Sequence, residues 1–99
     1  GILAERRVKQ DYPTQDIGLT VKHIIETYCQ PLTAENVNIN TGIIAPVASI
    51  DQQAISVIEG IRQDHGLLYY VDKDWDMHLY QESEIEGAIV QIQYGDGGI

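Results

Sequence analysis

This sequence has a single cysteine, no long apolar run and no initial methionine. Cys29 is the one cysteine among 99 residues, so no internal disulfide can form and a disulfide scaffold is excluded. No apolar run approaches the roughly 20 residues that a membrane-spanning helix needs, and residues 1–7 lack the apolar segment of a signal peptide. The missing methionine and the glycine-rich residues 95–98, which are typical of a linker, predict a piece of a longer chain.

Basic residues are also scarce. Lys and Arg number 6 against 15 Asp and Glu, which gives a formal net charge of -9. A phosphate backbone or an anionic membrane surface would repel such a chain, so we expect no nucleic-acid partner and no direct membrane insertion. The length suits one domain, and 43% hydrophobic with 21% charged residues is ordinary globular composition that needs no metal or disulfide to fold.

The acidic stretch at residues 72–76 begins like a calcium loop. Asp72, Asp74 and Asp76 stand at positions one, three and five, where such a loop carries its first carboxylates. Position six must be Gly and is Met77, and position twelve must be Glu and is Ser83. We therefore predict a solvated acidic hairpin turn, with weak adventitious calcium binding as the alternative.

The remaining chemistry-bearing residues do not form a known site pattern. His23, His65 and His78 lack the spacing of zinc ligands, so we interpret them as structural. Cys29 follows Tyr28 at the apolar end of a predicted helix, where a free cysteine usually packs as a small hydrophobe. No glycine-rich loop lies between a strand and a helix, so nucleotide binding has no support. We expect no metal, no cofactor and no catalysis.

Two further groups of side chains leave alternatives open. Carboxylates at 72–76 or at 82, 84 and 86 could serve a small hydrolase, but a short chain offers little depth for a desolvated cleft, and a solvated flank is the expected alternative. The acidic face at 72–86 could also steer a basic partner or simply maintain solubility. Aromatic residues cluster across the same region and either hold a sheet together or anchor a partner protein: Tyr69, Tyr70, Trp75 and Tyr80.

Apolar spacing predicts two helices. The first carries one stripe from Thr20 onward and ends before Pro31. The second begins at a capping box formed by Ser49 and Gln52 and ends near Gly66. The stripes consist of Val21, Ile24, Ile25 and Tyr28 in the first helix, and of Ala54, Ile55, Ile58 and Ile61 in the second.

The strands follow from alternation and turn residues. Residues 35–40 alternate apolar and Asn side chains, which predicts a half-buried strand followed by a turn at 41–42. Pro46 cannot donate to a ladder, so its strand belongs at a sheet edge or carries a bulge, which makes it a candidate docking edge. Residues 67–71 are typical of a central strand, and 75–80 complete a hairpin across the turn at 72–74, with Trp75, Met77 and Leu79 on one face.

The predicted order is strand, helix, strand, strand, helix, strand, strand. This β-α-β-β-α-β-β order corresponds to an α+β fold with two helices packed on a small mixed sheet. We expect residues 1–13 to form an N-terminal strand or arm, 14–82 the α+β domain, and 83–99 an exit segment and glycine-rich linker to a following domain.

Three short segments resemble a known family: HGLLYYVD at 65–72, MHLY at 77–80 and SEI at 83–85. Together they resemble the first periplasmic domain of type III secretion secretins, which has a Gly-Leu, an aromatic pair, an Asp turn, a Leu-Tyr strand and a Ser-Glu-hydrophobic exit. The resemblance extends over about residues 8–92 and includes both predicted helices. It departs at 40–46, where the family's Val-x-Gly strand is replaced by NTGIIAP.

The resemblance implies a scaffold and docking domain without chemistry of its own. Such a domain is periplasmic, belongs to an outer-membrane protein that forms a homo-oligomeric ring, and contacts neighbouring subunits and the inner-membrane ring protein of the secretion system. The alternative is the related signalling domain of a TonB-dependent receptor, which binds an anti-sigma regulator. For the secretin domain, the strand of Pro46 and the hairpin are the candidate interface, with Ile43, Pro46, Asp72, Asp74, Trp75 and Asp76 as its residues.

Overall fold

Helices and short strands alternate along the part of the chain that the structure, a computed structural model, describes, residues 1–81. A short helix, α1, precedes two helices of 12 residues each, α2 and α3. Their bounds are Ile2–Glu5 for α1, Ile17–Tyr28 for α2 and Ala54–His65 for α3. The strands are β1 (Arg7–Val8), β2 (Tyr12–Asp16), β3 (Thr33–Val37), β4 (Ile44–Val47), β5 (Gln52–Gln53), β6 (Leu67–Val71) and β7 (Asp76–Gln81).

The strands form one mixed sheet and two small antiparallel pairs. The mixed sheet has the order β3-β7-β6, with β3 parallel and β6 antiparallel to β7. The antiparallel pairs are β1 with β5 and β2 with β4. With the two longer helices, this is a small α+β domain, as the sequence predicts. Without the short elements α1, β1 and β5, the order is the predicted β-α-β-β-α-β-β.

Helix α2 buries Val21, Ile24 and Ile25 of the predicted stripe and half-buries Tyr28, but it begins three residues earlier than the stripe indicates. Asp16 caps it, since its carboxylate accepts a hydrogen bond of 2.9 Å from the Gly18 backbone N–H. The same carboxylate accepts from the Thr41 hydroxyl at 2.8 Å and the Gly42 N–H at 3.0 Å. Burial alone would raise the pKa of Asp16, but these hydrogen bonds outweigh burial and lower it.

Helix α3 buries Ala54, Ile58 and Ile61 of the predicted stripe and ends where predicted, but Ile55 is only half-buried and Val57 is buried in addition. The predicted capping box is wrong. The helix begins after Gln53, whose side chain makes no capping hydrogen bond. Ser49 is buried and donates its hydroxyl proton to the Gln10 carbonyl, at 2.6 Å, so it is used to hold a neighbouring loop instead. At the other end Gly66 takes a left-handed conformation with φ of 66°, which glycine adopts at little cost.

Two strand predictions need correction. The alternation expected at 35–40 is wrong, since β3 starts at Thr33, buries Ala34 and Val37, and leaves Ile39 36% exposed. A register shift between Thr33 and Asn36 in the pairing with β7 explains the broken alternation. The strand expected to be central, β6, lies at one side of the sheet order, and β7 occupies the middle.

Pro46 lies where the sequence predicts, in a strand beside an irregularity. Its strand, β4, pairs with β2, and the register shifts between Tyr12 and Gln15 of β2 on the stretch facing Pro46. The first 13 residues, expected to be a strand or arm, contain α1 and β1 as well as the start of β2.

The core lies between the two long helices and the sheets. Its fully buried members come from both long helices and from strands β1, β3, β6 and β7, and Cys29 belongs to it as a small apolar side chain. Among them are Val8, Ile17, Ile24, Ile25, Ile58, Leu67, Met77 and Leu79. None of the helices within residues 1–81 is long and apolar enough to cross a membrane. The expected exit segment and linker at 83–99, and the carboxylates at 82, 84 and 86, lie outside the described residues.

Candidate docking surface at the acidic turn

The turn between β6 and β7 is fixed by hydrogen bonds to Asp72. Its carboxylate accepts from the backbone N–H of Asp74 at 2.8 Å and of Asp76 at 3.1 Å, and its carbonyl accepts from the N–H of Trp75 at 3.1 Å. Trp75 has a positive φ of 65°, unusual for a non-glycine residue, and its side chain is 54% exposed. The turn therefore presents an aromatic side chain to solvent on a constrained backbone.

Asp76 departs from the predicted solvated turn. It is only 5% exposed and accepts hydrogen bonds from the Thr33 hydroxyl at 2.6 Å, the Glu35 N–H at 2.8 Å and the Asn36 side-chain amide at 2.7 Å. Burial alone would raise the pKa of Asp76, but the bonds from Thr33, Asn36 and Glu35 outweigh it and lower the pKa. Among the predicted interface residues, Asp76 is thus placed inside the domain, where it binds β3 to β7.

His78 supports the turn from the neighbouring strand. Its Nε2 lies 2.8 Å from the Asp72 carboxylate, and its ring stacks on Tyr70 with centroids 4.4 Å apart. The hydrogen bond with His78, followed by that from the Asp76 backbone, lowers the pKa of Asp72. The structural role that the sequence predicts for His78 is consistent with these contacts.

Asp72, Asp76 and His78 bring potential metal-ligating atoms within 4.8 Å of one another. Each of these side chains is already engaged, Asp76 with donors from β3 and Asp72 with turn N–H groups and His78. A cation would have to displace those donors, so the arrangement is suited to holding the turn. That the chain needs no metal stays a prediction.

An apolar pocket of about 590 Å³ opens beside the turn. This volume lies in the range of ligand-binding pockets. The pocket joins segments that are far apart in the sequence, since α1, the start of α3, the end of β6 and the turn all contribute. Its apolar lining includes Ile2, Leu3, Leu32, Ile55, Val71 and Trp75. Glu5 and Asp72 are the acidic side chains of its wall, and the Gly1 ammonium, which also lines it, lies 3.6 Å from the Glu5 carboxylate.

Sequence reasoning found only the hairpin half of this surface. Ile2 and Leu3 belong to the predicted N-terminal strand or arm, but they form part of helix α1 and are half-buried against the domain. No pattern within residues 1–13 indicates this, because one turn of helix is too short to show a periodicity. The available signal was Trp75 beside an acidic stretch. Its predicted place on one strand face with Met77 and Leu79 is wrong, since Trp75 lies exposed in the turn before β7, whereas Met77 and Leu79 are buried.

Pro46 belongs to a different sheet, in β4, and Ile43 directly precedes that strand; these are the other predicted interface residues. The Ile43 carbonyl accepts from the Ile17 N–H at 3.0 Å, so the backbone groups of Ile43, Ala45 and Val47 face β2. Those of Pro46 point the other way, to the side of β4 that no described strand covers. Since proline has no N–H, that side lacks one donor for an added strand.

The remaining predicted residues have structural surroundings. Burial raises the pKa of the Cys29 thiol to about 11, which disfavours the thiolate that a nucleophile requires. The Tyr12 hydroxyl and His23 Nδ1 are 2.6 Å apart, and His65 lies in the last turn of α3. Tyr69 donates a hydrogen bond of 2.5 Å to Glu59.

Comparisons with known proteins gave no match: no family model, no curated protein and no solved structure is similar to the chain. What the surface can do is therefore inferred from its own residues. A constrained turn with an exposed Trp75, next to an apolar pocket, is suited to contacting another protein.

Proposed function

We propose that the chain is a periplasmic scaffold and docking domain of a ring-forming outer-membrane secretin, of the type III secretion class. In this role it contacts neighbouring subunits and the inner-membrane ring. The observation that carries the proposal is the placement of the resembling residues: 65–72 form the end of α3 and strand β6, and 77–80 lie in β7, all within a β-α-β-β-α-β-β order.

The exposed apolar side chains support docking rather than catalysis. Ile44 on β4 is 58% exposed, and Tyr70 and Trp75 of the hairpin are 49% and 54% exposed. Aromatic residues with large accessible area are enriched where proteins bind one another. The carboxylates nearest to them are engaged in fixing the turn, which leaves the side chains of the hairpin as the contact groups.

Site-directed cross-linking in the parent protein tests the proposal. Because Cys29 is buried, a cysteine introduced on the surface is the reactive thiol of this domain. We expect Ile44→Cys and Asp74→Cys to give cross-linked multimers with a thiol-specific cross-linker in intact cells. Gln63→Cys, an exposed position on α3, is the matched control and should give few.

The parent reading frame provides the second measurement. A following series of small α/β domains and a long β-rich segment fits a secretin, whereas a TonB box and plug would replace the proposal by the receptor signalling domain. Outer-membrane rings that assemble and secrete normally when residues 1–81 are deleted would refute the scaffold role.

A further inference from the structure

We propose that the apolar pocket beside the acidic turn is a binding site for a small neutral molecule with a linear alkyl chain, such as a medium-chain alcohol. The proposal goes beyond the docking role and does not depend on it, because it concerns a small ligand and not a partner protein. Three observations carry it: the lining of the pocket, the pairing of its charged groups and the constrained position of Trp75.

The lining of the pocket is mainly aliphatic. Apart from Trp75, its larger apolar side chains are Ile2, Leu3, Leu32, Ile55 and Val71. Leu32 is only 5% exposed and Val71 is 39% exposed, so the pocket extends from an accessible side chain to the core. Binding an alkyl chain removes such a surface from water, and a volume of about 590 Å³ is large enough for a small ligand.

The charged groups of the lining each have a partner within the chain. The Glu5 carboxylate lies 3.6 Å from the Gly1 ammonium, and both groups line the pocket. The Asp72 carboxylate accepts hydrogen bonds from backbone N–H groups of the turn and lies 2.8 Å from His78 Nε2. A charged ligand would lose water at the apolar lining without gaining an unpaired partner, so the lining favours a neutral one.

Trp75 is held at the pocket by the backbone of the turn. Its φ of 65° lies in the left-handed region, which a bulky aromatic residue rarely adopts, and its side chain is 54% exposed. The Trp75 N–H donates to the Asp72 carbonyl at 3.1 Å, which stabilises this conformation. Unusual backbone conformations of this kind occur at ligand sites. Because the turn is already fixed, binding costs little conformational freedom there.

Trp75 also reports binding, because it is the one tryptophan of the chain and lines the pocket. The experiment titrates the 99-residue chain with linear butanol, hexanol and octanol while Trp75 emission is recorded. We expect a saturable change in emission, and an affinity that rises about tenfold for each two CH₂ groups added to the alcohol. Octanoate and octylammonium should bind no more tightly than octanol, and about 0.5 M salt should change the affinity for octanol less than about twofold.

Matched variants locate the binding. Val71→Asn removes aliphatic lining, and Ile39→Asn removes an apolar side chain of similar exposure, 36% against 39%, outside the pocket. Val71→Asn should weaken octanol binding at least about fivefold and Ile39→Asn should leave it unchanged, with circular dichroism showing both folded. Trp75→Gly removes the ring but suits the left-handed turn. Calorimetry, which needs no tryptophan, should show weaker octanol binding by this variant in a chain that stays folded.

Several results would overturn the inference. They are an emission that no alcohol changes, an affinity that does not depend on chain length, and equal losses in Val71→Asn and Ile39→Asn. Binding of octylammonium about tenfold more tightly than octanol would show that the wall charges select the ligand. Emission that shifts with protein concentration alone, or with phosphatidylcholine vesicles but not with octanol, would assign the pocket to a second copy or to a membrane surface.

The proposed function fails separately from this inference. Ring assembly in the parent protein tests the docking role, and alcohol titration of the isolated chain tests the pocket. If octanol binds as expected while the rings assemble without this domain, the scaffold role is refuted and the ligand site stands.

Discussion

At the scale of single residues, one glycine stands where no larger residue fits. Gly18, in the first turn of α2, lies against the loop after β3, and a Cβ atom built on it would come within 1.8 Å of the Asn38 carbonyl oxygen. The atoms in the way belong to the backbone, which cannot shift as easily as the end of a flexible side chain. A side chain at this position would therefore require the loop to move. Gly60, in the middle of α3, has nothing within 4 Å of the corresponding position.

These two glycines give a matched prediction. Gly18→Ala should lower the free energy of unfolding by about 2 kcal/mol or more, because the loop at Asn38 must shift. Gly60→Ala should raise it by about 0.5 to 1 kcal/mol, since alanine is the better helix former and meets no neighbour. Urea denaturation followed by circular dichroism measures both. Equal effects of the two substitutions would mean that the close approach at Gly18 is not a constraint.

At the scale of elements, the hairpin and strand β3 are joined by one carboxylate. The register shift between Thr33 and Asn36 breaks the regular ladder to β7. The Asp76 carboxylate accepts hydrogen bonds from the Thr33 hydroxyl, the Glu35 N–H and the Asn36 side-chain amide. It thereby gives these donors the acceptor that the interrupted ladder does not provide. Asp76 therefore holds the first residues of β3 against β7.

Replacing this carboxylate should loosen β3. Asp76→Asn places an NH₂ group among hydrogen-bond donors, so we expect a loss of about 2 kcal/mol in the free energy of unfolding. If amide hydrogen exchange in the variant becomes faster in residues 33–37 but not in α3, the loss of stability lies in β3. The control is Asp74→Asn in the same turn, where the side chain is exposed and little change is expected. Uniform exchange across the domain would argue against a specific link between β3 and β7.

At the scale of the whole molecule, the pKa shifts predict two limits of stability. Asp16, Asp72 and Asp76 have pKa values lowered from 3.8, so they favour the folded state above that value, and this contribution is lost as the pH falls through the lowered values. Burial raises the pKa of Cys29 from 9.0 to about 11 and of Tyr69 from 10.0 to about 12. Their contribution is complete below 9.0 and 10.0 and is lost as the pH rises toward the raised values.

The midpoint of urea denaturation should therefore be highest between about pH 5 and pH 9 and fall on both sides. Asp76→Asn should make the fall of the urea midpoint at acid pH shallower, since one group that must be protonated is gone.

Alkylation of Cys29 should stay slow in the folded chain because the thiol is buried and its thiolate is disfavoured. For the pH dependence, a urea midpoint that is constant from pH 7 to pH 3 would show that the carboxylates of Asp16, Asp72 and Asp76 contribute nothing to folding.

The sequence by itself determined the elements whose signal is local. The apolar stripes of α2 and α3 repeat every three to four residues, Gly66 ends α3, and the acidic turn closes the hairpin, all within short stretches of chain. The α+β class and the element order follow from these local patterns. For the candidate surface, the sequence indicated the hairpin turn and Trp75 but not the pocket beside them.

Only the tertiary structure decided what distant residues do together. Asp16, which caps α2, also binds Thr41 and Gly42, and Asp76 binds the start of β3 from more than forty residues away. The pocket unites α1 with Ile55 and Trp75, which no sequence window contains. Local periodicity reports which side of an element is apolar, whereas a cap, a strand register or a pocket depends on which other segment lies opposite, and that is fixed only when the chain packs.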